Sequence, residues 1–503
     1  MRRYTSKHKL RRQVFTEVAK LAYEGGDPNT IGDLPYKIIP GEVATYRESV
    51  LRERAIVSER LRLAMGLPVR PTDRPMRTAD GVEEVAVSRK CDHKPLINII
   101  KVACDACPPK KVTVSNLCRG CLEHPCVDSC PKDAVSMVGG KSFIDQEKCI
   151  QCGRCVTACP YNAIVKQERP CEKACGVGAI HSDEYGRAEI DYEKCVSCGQ
   201  CLVSCPFSAI ADKSQIYQTI LAIREENPVY AAVAPAFAYQ FGRDTSPEKL
   251  RAAIKALGFA DMVEVAIGAD LCTLQEAEDF LNEVPDKLPW MGTSCCPSWS
   301  VMAKRLFPQY AECISMALTP MVLTARLIKK QHPECKVAFI GPCAAKKREA
   351  ARAEVRSEVD FVLTFEEVAA MFDAKELDFA ALPEDPSPVD QSSADGRLFA
   401  VAGGVAKAVV NTAKQIDPSR EIKTVSAEGL AECRRMLQLA KAGKYDGYLL
   451  EGMACPGGCV GGAGVICSSA EAAKAVSAVS ESAPFASAVD TRYGEYLDLL
   501  IKE

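Results

Sequence analysis

The chain has 503 residues, of which 47% are hydrophobic and 26% charged, and its formal net charge is −3. This length predicts several domains with a sizeable core, and the charge excludes a strongly basic nucleic-acid-binding protein. The longest mostly apolar stretch, from Val229 to Phe241, is shorter than the roughly 20 residues of a membrane-spanning helix. Glu17, Lys20 and Glu24 lie where a secretion signal would be apolar, so we expect a cytoplasmic protein without a membrane span.

Cysteine is the unusual residue of this chain, with 27 copies. Clustered cysteines in a cytoplasmic protein of this size are more often metal ligands or catalytic groups than disulfides. Seventeen lie between Cys91 and Cys205, and the other ten lie between Cys272 and Cys467. This distribution predicts a helical N-terminal segment (1–90), a cysteine-rich domain (91–215) and a third domain (216–503).

The N-terminal segment contains one stretch with a clear helical pattern, from Glu42 to Met65. Apolar residues recur on one face, at Val43, Tyr46, Val50, Val57, Leu61 and Ala64. Charged residues occupy the other faces, at Arg47, Glu48, Arg52, Glu53 and Arg60. We expect this helix to pack on the rest of the protein; docking of a partner is the alternative.

Beyond Lys213 the pattern is that of an α/β domain. We predict strands at Val229–Val233, Val263–Ile267, Val337–Ile340, Phe361–Leu363 and Tyr445–Leu450. We predict helices at Pro247–Leu257, Leu274–Asn282, Met321–Gln331 and Glu428–Ala442. Residues 383–396 predict a surface loop, and the domain boundary is expected near Ser214–Asn227.

The cysteine-rich domain consists of internal repeats. Two runs of the form Cys-x2-Cys-x2-Cys-x3-Cys-Pro begin at Cys149 and Cys195, and a variant with a four-residue gap begins at Cys118. The fourth cysteine of each half-unit precedes a similar tail: PKDAV, PYNAI, GVGAI and PFSAI. This is the bacterial ferredoxin pattern, in which three thiolates bind one 4Fe–4S cube and the fourth binds the other cube. Zinc sites lack the repeated fourth Cys-Pro, and a haem site would need Cys-x-x-Cys-His.

The cross-over rule of this pattern predicts three ligand sets. The first set is Cys118, Cys121, Cys126 and Cys159; the second is Cys130, Cys149, Cys152 and Cys155; the third is Cys175, Cys195, Cys198 and Cys201.

Cys171 and Cys205 belong to none of these sets, and a fourth cube would need two ligands in addition to them. Because Cys104 and Cys107 form a Cys-x2-Cys pair, we predict a fourth set of Cys104, Cys107, Cys171 and Cys205. Alternatively, Cys104 and Cys107 are buried thiols or a small zinc or redox pair, and Cys91 and His93 compete as ligands. The domain resembles the multi-cluster ferredoxin subunits of molybdenum oxidoreductases, and such a row of cubes conducts electrons between a surface partner and a catalytic centre.

Three cysteine-containing loops follow in the third domain. They read TSCCPSW at 293–299, GPCAAKKRE at 341–349 and EGMACPGGCVGGAG at 451–464. The second and third directly follow predicted strands, where α/β folds place their sites. Glycines around Cys459 allow the backbone to approach a bulky group. Four cysteines of these loops are therefore candidate ligands of one more cube: Cys296, Cys343, Cys455 and Cys459.

These three loops resemble the signature motifs of the FeFe-hydrogenases, TSCCPxW, xPCxxKxxE and ExMACxxGCxxGxG. The resemblance covers about residues 225–490. It implies an α/β two-lobed catalytic domain with the active site between the lobes. This domain would be preceded by an α+β multi-cluster ferredoxin-like domain and the N-terminal helical segment.

The resemblance also implies the cofactor, an H-cluster: a 4Fe–4S cube joined through one cysteine to a diiron subsite with CO, CN and azadithiolate ligands. Cys296, Cys343, Cys455 and Cys459 would bind the cube, and Cys459 would bridge to the diiron unit. Cys295 would relay protons, Lys346 would hydrogen-bond a cyanide, and Met453 would pack against the diiron unit. A charge-assisted hydrogen bond and a titratable thiol suit these two polar roles.

The sequence departs from the family pattern at several positions. Gly341 replaces a methionine, and Ala345 replaces a serine. The acidic relay of the family lies on a helix similar to TIMEEA; here the first acid is aligned with Gln275, which cannot titrate. A relay serine aligns weakly with Ser315. We therefore expect the outer proton path to use other groups: Glu276, Glu278, Glu312 or water.

The resemblance implies reversible interconversion of H2 with protons and electrons, with ferredoxin or a similar one-electron carrier as partner. Assembly of the diiron unit would require hydrogenase maturases. Two other functions are alternatives: an H2-sensing regulatory hydrogenase, and a non-catalytic iron–sulfur assembly factor. Six cysteines have no assigned role and are expected in the core: Cys91, Cys272, Cys313, Cys335, Cys433 and Cys467.

Overall fold

The computed structural model describes residues 6–91, 94–243, 245–389 and 391–501. Residues 6–90 contain four α-helices, and the first of them packs against two helices of the third domain, Ile216–Ile223 and Phe365–Ala374. The bounds of the four helices are α1 Ser6–Glu24, α2 Leu34–Ile38, α3 Val50–Ala64 and α4 Val82–Val85. Across the described ranges, no helix combines the length and apolar character that crossing a bilayer requires.

Helix α3 is shorter than the sequence pattern predicts. The structure begins it at Val50, so residues 42–49 lie outside it, and Val43 is 79% exposed. The carboxylate of Glu53 causes this difference: it accepts hydrogen bonds from the backbone N–H groups of Thr45 and Arg47, each at 2.7 Å. These bonds fold the preceding chain back on the helix and bury Glu53, which was expected on an outer face. The predicted packing of Val57, Leu61 and Ala64 in the core is confirmed.

The middle domain contains short strands and one-turn helices. In chain order they are β1 Ile97–Ile99, β2 Lys111–Val114, α5 Pro125–Asp128, β3 Val135–Val138, β4 Lys141–Ile144, α6 Arg154–Ala158, β5 Ile164–Gln167, α7 Pro170–Lys173, β6 Ile180–Ser182, β7 Ala188–Ile190, α8 Gln200–Ser204 and β8 Ile210–Asp212.

These elements form two units of identical order, one inserted in the other. In each unit the first strand pairs antiparallel with the last, β2 with β5 and β1 with β8. Each also contains a hairpin, β3–β4 or β6–β7, and a pair of packed helices. The inner unit (111–167) lies between β1 and α7 of the outer unit (97–107 and 170–212). The four half-units of the sequence repeat correspond to these two units.

The repeated tails have a common conformation. The residue before the tail alanine has a positive φ: 49° at Asp133, 50° at Asn162, 64° at Gly178 and 53° at Ser208. Asp, Asn and Gly adopt this region most readily. The N–H of the alanine then donates to the sulfur of the fourth cysteine: Ala134 to Cys130, Ala163 to Cys159, Ala179 to Cys175 and Ala209 to Cys205. The tail repeat therefore holds a cysteine sulfur.

The third domain has an α/β architecture. Its elements are α9 Ile216–Ile223, β9 Val229–Val233, α10 Pro247–Ala256, β10 Asp261–Glu264, α11 Ala266–Glu283, β11 Met291–Gly292, α12 Pro297–Leu306, α13 Pro320–Gln331, β12 Lys336–Gly341, α14 Ala344–Ala350, β13 Phe361–Thr364, α15 Phe365–Ala374, α16 Ala394–Leu398, α17 Gly404–Ile416, β14 Lys423–Glu428, α18 Leu430–Lys441, β15 Tyr448–Met453, α19 Ser469–Glu481 and α20 Leu497–Ile501.

Two parallel sheets organise this domain. The first has the order β10-β9-β12-β13 and the second β11-β15-β14. Helices α11 and α13 pack on each other, and α11 also contacts α17. The predicted α/β class is confirmed, and the cysteine loops follow the carboxyl ends of β11, β12 and β15.

Several predicted elements need correction. The apolar run Val263–Ile267 is not one strand, because β10 ends at Glu264 and α11 begins at Ala266. Such a short run does not distinguish a strand from the first turn of a buried helix. The predicted strand Tyr445–Leu450 is shifted by three residues, and Glu428 ends β14 instead of starting a helix. The expected loop 383–396 ends in α16, which begins at Ala394. The region Ser214–Asn227, where the domain boundary is expected, contains helix α9.

Candidate active site and cluster sites

The three cysteine loops converge on one cavity of about 820 Å³. Its lining includes every residue of these loops that the sequence singles out: Cys295, Cys296, Cys343, Lys346, Met453, Cys455 and Cys459. The remaining surface is mostly apolar, with Ala234, Pro235, Met321 and Phe339 among the lining residues. The loops thus bring five thiols and one ammonium group together in a largely apolar chamber.

Trp299 fixes the first loop against the third. Its ring is fully buried, and its indole N–H donates to the carbonyl of Thr293 at 3.0 Å. Gly452 lies flat against this ring, because a Cβ there would come within 2.1 Å of a Trp299 ring atom. Only glycine allows this approach. The TSCCPxW tryptophan and the glycine before Met453 are therefore complementary packing partners.

Lys346 is the cation of the site. Its ammonium donates to the Glu349 carboxylate at 2.6 Å and to the Thr319 hydroxyl at 3.0 Å. Burial lowers the pKa of Lys346, but the charge of Glu349 outweighs this and raises it. The side chain therefore stays charged at the wall of the cavity, and Glu349 holds it in place.

Glu451 positions the third loop. It is fully buried and accepts hydrogen bonds from the N–H groups of Gly403 at 2.8 Å and Ala406 at 2.9 Å. These groups lie at the start of α17, where a carboxylate is stabilised by unpaired N–H groups and the helix dipole. The start of the third motif is thus tied to a helix end.

The buried thiols fit a metal-bound group. Burial, and then the charges of neighbouring cysteines, raise the pKa of Cys343 to about 11 and that of Cys459 to about 12. Burial is also the largest cause of the raised pKa values of Cys296 and Cys455. Thiolates are the form that binds iron, and a bound cationic metal deprotonates a coordinating thiol. The four cysteines are therefore a suitable donor set for an iron–sulfur cube.

Glu276 lies beside Cys295. Burial raises the pKa of this glutamate to about 7, and its charge in turn raises the pKa of the Cys295 thiol after burial. One Glu276 oxygen accepts from the Ser294 N–H at 2.7 Å and lies 3.0 Å from the Ser294 hydroxyl. Ser315 also hydrogen-bonds to this carboxyl group. A buried carboxyl group with this pKa is able to accept or release a proton near neutral pH.

The structure distinguishes the candidate acids of the outer path. Glu278 and Glu312 are exposed, whereas Glu276 is fully buried. One turn beyond Glu276 on α11, the half-buried Asp279 has a pKa raised by burial and by the charges of neighbouring glutamates. Asp279 was not among the residues predicted from the sequence. Its spacing of three residues from Glu276, which places both on one helix face, could have indicated it.

The first three cysteine sets are each brought together. Cys118, Cys121, Cys126 and Cys159 line a common cavity of about 350 Å³. In the second set, burial and then the charges of Cys149, Cys130 and Cys152 raise the pKa of Cys155. In the third set, burial and then the charges of Cys198, Cys195 and Cys175 raise the pKa of Cys201.

The four cysteines of the fourth set also lie together. Burial, then the charges of Cys104 and Cys205, raise the pKa of Cys107. The pKa of Cys171 is raised to about 12, mainly by burial and then by the charge of Cys205. The charge of Cys104 raises the pKa of Cys171 further.

Cys104 also occupies the same place in its unit as Cys118. The Cys104 sulfur accepts from the N–H of Ala188 on β7 at 3.3 Å, and the Cys118 sulfur accepts from Ser142 on β4 at 3.4 Å. The outer unit therefore repeats the first set with Cys104, Cys107, Cys171 and Cys205. Within the described residues, no three His, Cys, Asp or Glu side chains converge as the ligands of one metal ion.

The third set adjoins the active-site cavity. Cys198 lines that cavity, and Gly199, with φ of 78°, packs so closely that a Cβ would lie 2.7 Å from Ala463. The hydroxyl of Ser298 in the first loop donates to the carbonyl of Val196 at 3.0 Å. A redox group on the third set would therefore be next to one in the cavity.

Most of the cysteines that have no assigned role are buried, as expected. Cys272, Cys313, Cys335, Cys433 and Cys467 are buried. Cys91 is only half-buried, so the expectation of a core position is wrong there. His93, the other alternative ligand, lies outside the described residues.

Three family models match the chain. Residues 227–463 match the C-terminal domain of the iron only hydrogenase large subunit. Residues 148–209 match a 4Fe-4S dicluster domain, and residues 118–169 match the LdpA Fe-S cluster-binding domain. The middle domain is thus an iron–sulfur domain, and the third matches a hydrogenase domain.

Curated relatives cover most of the same region. The periplasmic Fe hydrogenase large subunit of Nitratidesulfovibrio vulgaris is 32% identical over 64% of this chain and 85% of its own length. Iron hydrogenase 1 of Clostridium pasteurianum is 29% identical over 66% of this chain and 67% of its own length. The NADP-reducing hydrogenase subunit HndD of Solidesulfovibrio fructosivorans is 29% identical over 63% of this chain. The matched part of the chain spans 55% of the length of HndD.

Proposed function

Because the chain belongs to the iron-only hydrogenase family, we propose that it catalyses the reversible interconversion of H2 with protons and electrons. The observation that carries the proposal is the convergence of Cys295, Lys346, Met453 and the four candidate ligand cysteines on one cavity. Two parallel sheets contribute the loops, and we propose that they are the two lobes that enclose the site.

We propose that Cys296, Cys343, Cys455 and Cys459 would hold the H-cluster. When bound, this group supplies the redox centre for H2 chemistry. Lys346, oriented by Glu349, donates a charge-assisted hydrogen bond to an anionic ligand in the cavity. Met453, only 2% exposed, packs on the cavity wall and helps to exclude water.

The protein's own groups would move the protons. The Cys295 thiol lies at the cavity, and Glu276 lies behind it with Ser294 and Ser315 as hydrogen-bond partners. A proton entering the site passes from Glu276 to Cys295 and then to the cavity; H2 oxidation uses the reverse order. Asp279, half-buried one turn away on α11, extends the path towards solvent.

Electrons would reach the cavity through the iron–sulfur domain. We propose that each of the four sets holds a 4Fe–4S cube and that the third, adjoining the cavity, passes electrons to the active site. The partner is a ferredoxin or a similar one-electron carrier, and maturases supply the diiron unit. Iron analysis of the matured chain should give four cubes plus the six irons of the active site; three cubes would contradict the fourth set.

Infrared spectroscopy of the matured protein tests the function. We expect bands from metal-bound CO and CN together with H2 evolution. A matured chain without these bands would not be a hydrogenase, and the assembly-factor alternative would then be favoured. Bands accompanied by very slow turnover would favour an H2 sensor.

A further inference from the structure

A second and larger cavity lies beside the third cysteine set. It contains about 2020 Å³ of space that is partly open to solvent, and it is lined by Cys91 and by five segments of the chain: 94–97, 192–197, 213–215, 300–305 and 347–354. We call it the basic cleft. Cys195 of the third set is one of its lining residues, and the Arg348 guanidinium donates to the Cys195 carbonyl at 2.6 Å. The cleft therefore adjoins the set that lies next to the active-site cavity.

The cleft carries an excess of positive charge. Among its described lining residues are seven lysines or arginines and two carboxylates, Glu193 and Glu354. Lys347 is neutralised by Asp212 at 2.7 Å and Glu367 at 2.9 Å. Arg352 pairs with Glu354 at 2.8 Å, so this pairing offsets one further charge.

Three of the other cations contact neutral acceptors. Arg305 donates to the Glu193 carbonyl at 2.7 Å, and the Lys304 ammonium lies 3.2 Å from the Met316 sulfur. Arg348 uses the Cys195 carbonyl described above. Burial and then the charge of Arg352 lower the pKa of Lys304, which shows that these cations repel one another. An anionic partner would relieve this repulsion.

Exposed side chains beside the cations favour a protein partner. Two large side chains beside the cations are partly exposed, Tyr192 at 46% and Leu306 at 44%. Aromatic and apolar groups among arginines are typical of protein-binding surfaces.

We propose that the basic cleft is the docking site of an acidic one-electron carrier protein, which exchanges electrons with the chain at the third set. This deepens the proposed function and rests on it for the role of the third set. The carrier is oxidised by one electron per encounter, and two encounters supply the two electrons that two protons need to form H2. In H2 oxidation the carrier is reduced by one electron in each encounter. The first and second sets would then serve another partner.

Binding of an oxidised acidic ferredoxin to the full, matured chain tests the proposal. We would measure the association rate by surface plasmon resonance at low and high ionic strength. Reversing two cations with Arg305→Glu and Arg352→Glu should slow association by about 10- to 100-fold at low salt and much less at high salt. This measurement needs no H2 turnover, so it gives an answer even when the hydrogenase proposal fails.

Two control variants make the result specific. Lys407→Glu with Lys414→Glu changes the net charge equally on exposed positions of α17 outside the cleft, and it should alter association less than threefold. Ile150→Glu places a charge on a 57% exposed residue between two ligands of the second set. If Ile150→Glu slows association more than the cleft reversal does, or if the cleft reversal matches wild type, the proposal is overturned.

Discussion

The iron–sulfur domain and the active-site domain use cysteine in opposite surroundings. Cys152 in the second set is exposed, and most ligand cysteines of that domain are only half-buried. The cysteines of the active-site loops instead face one common, largely apolar cavity. Under the proposed function, electrons cross the surface of the iron–sulfur domain, which agrees with sets that lie near solvent. Protons would instead have to reach an interior site, which would need a path of titratable side chains through the third domain.

The two domains also differ in their surfaces. Seven of the exposed large hydrophobic residues lie in or beside the inner unit: Leu117, Leu122, Val138, Phe143, Ile150, Tyr161 and Val165. Exposed apolar groups of this kind mark interaction surfaces when they are contiguous. The iron–sulfur domain therefore presents its candidate clusters close to surfaces that a partner could reach, whereas the third domain places its candidate site in the interior, away from water.

The largest expected effect comes from breaking the buried path. Cys295→Ala removes the thiol between Glu276 and the cavity, and we expect H2 evolution to fall at least 100-fold. The infrared bands of the active site should persist, because Cys295 is not a candidate ligand. Cys335→Ala, which removes another buried thiol outside the site, should leave activity within about twofold. Near-normal H2 evolution by Cys295→Ala would remove this residue from the path.

The next effect is a pH dependence set by Glu276. Its pKa is raised to about 7, so the carboxyl group is protonated below this pH and ionised above it. H2 evolution needs the protonated form and should decline as the pH rises through about 7. H2 oxidation needs the carboxylate and should decline as the pH falls through the same value. In Glu276→Gln, the rates of H2 evolution and of H2 oxidation should both fall strongly. Neither rate should then show an inflection near pH 7.

The next prediction tests the fourth cysteine set of the iron–sulfur domain with Cys107→Ala. If the fourth set holds a cube, this variant should lose about four irons per chain and keep its infrared bands. Cys313→Ala, a buried cysteine outside the four sets, should retain all its iron. Equal iron content in the two variants would assign Cys104 and Cys107 to a role other than cluster binding.

The smallest effect is expected on the exposed apolar surface. Leu122 is 94% exposed, and Leu122→Ala should change the free energy of unfolding by less than about 0.5 kcal/mol. Leu450→Ala, at a fully buried position of β15, should cost about 2–5 kcal/mol. A large loss of stability in Leu122→Ala, measured by denaturant unfolding, would show that this surface is covered within the chain.

Local spacing made much of the candidate site predictable. Ligand residues close in sequence, such as those of the three loops, share one turn or one strand end. Their chemistry is therefore visible as a motif. Trp299 and Gly452 illustrate the limit, because both stand in the motifs but their packing on each other joins two loops 150 residues apart.

The proton path shows where sequence alignment was ambiguous. Gln275 and Glu276 are adjacent, and a helix turns by about 100° per residue, so only one of them faces Cys295. The structure selects Glu276 by burying it beside Ser294. The start of α3 at Val50 likewise depended on a side-chain contact, between Glu53 and the backbone of Thr45 and Arg47.

The ligand types, three cysteine sets, the α/β class and the family resemblance were predictable from local sequence, because these depend on residues close together in the chain. Other features arise only from long-range packing. The inner unit separates Cys107 from Cys171, and only the folded outer unit brings them together. The same is true of the contact between the third set and the active-site cavity, and of the basic cleft, since each is formed by segments that meet only when the domains pack.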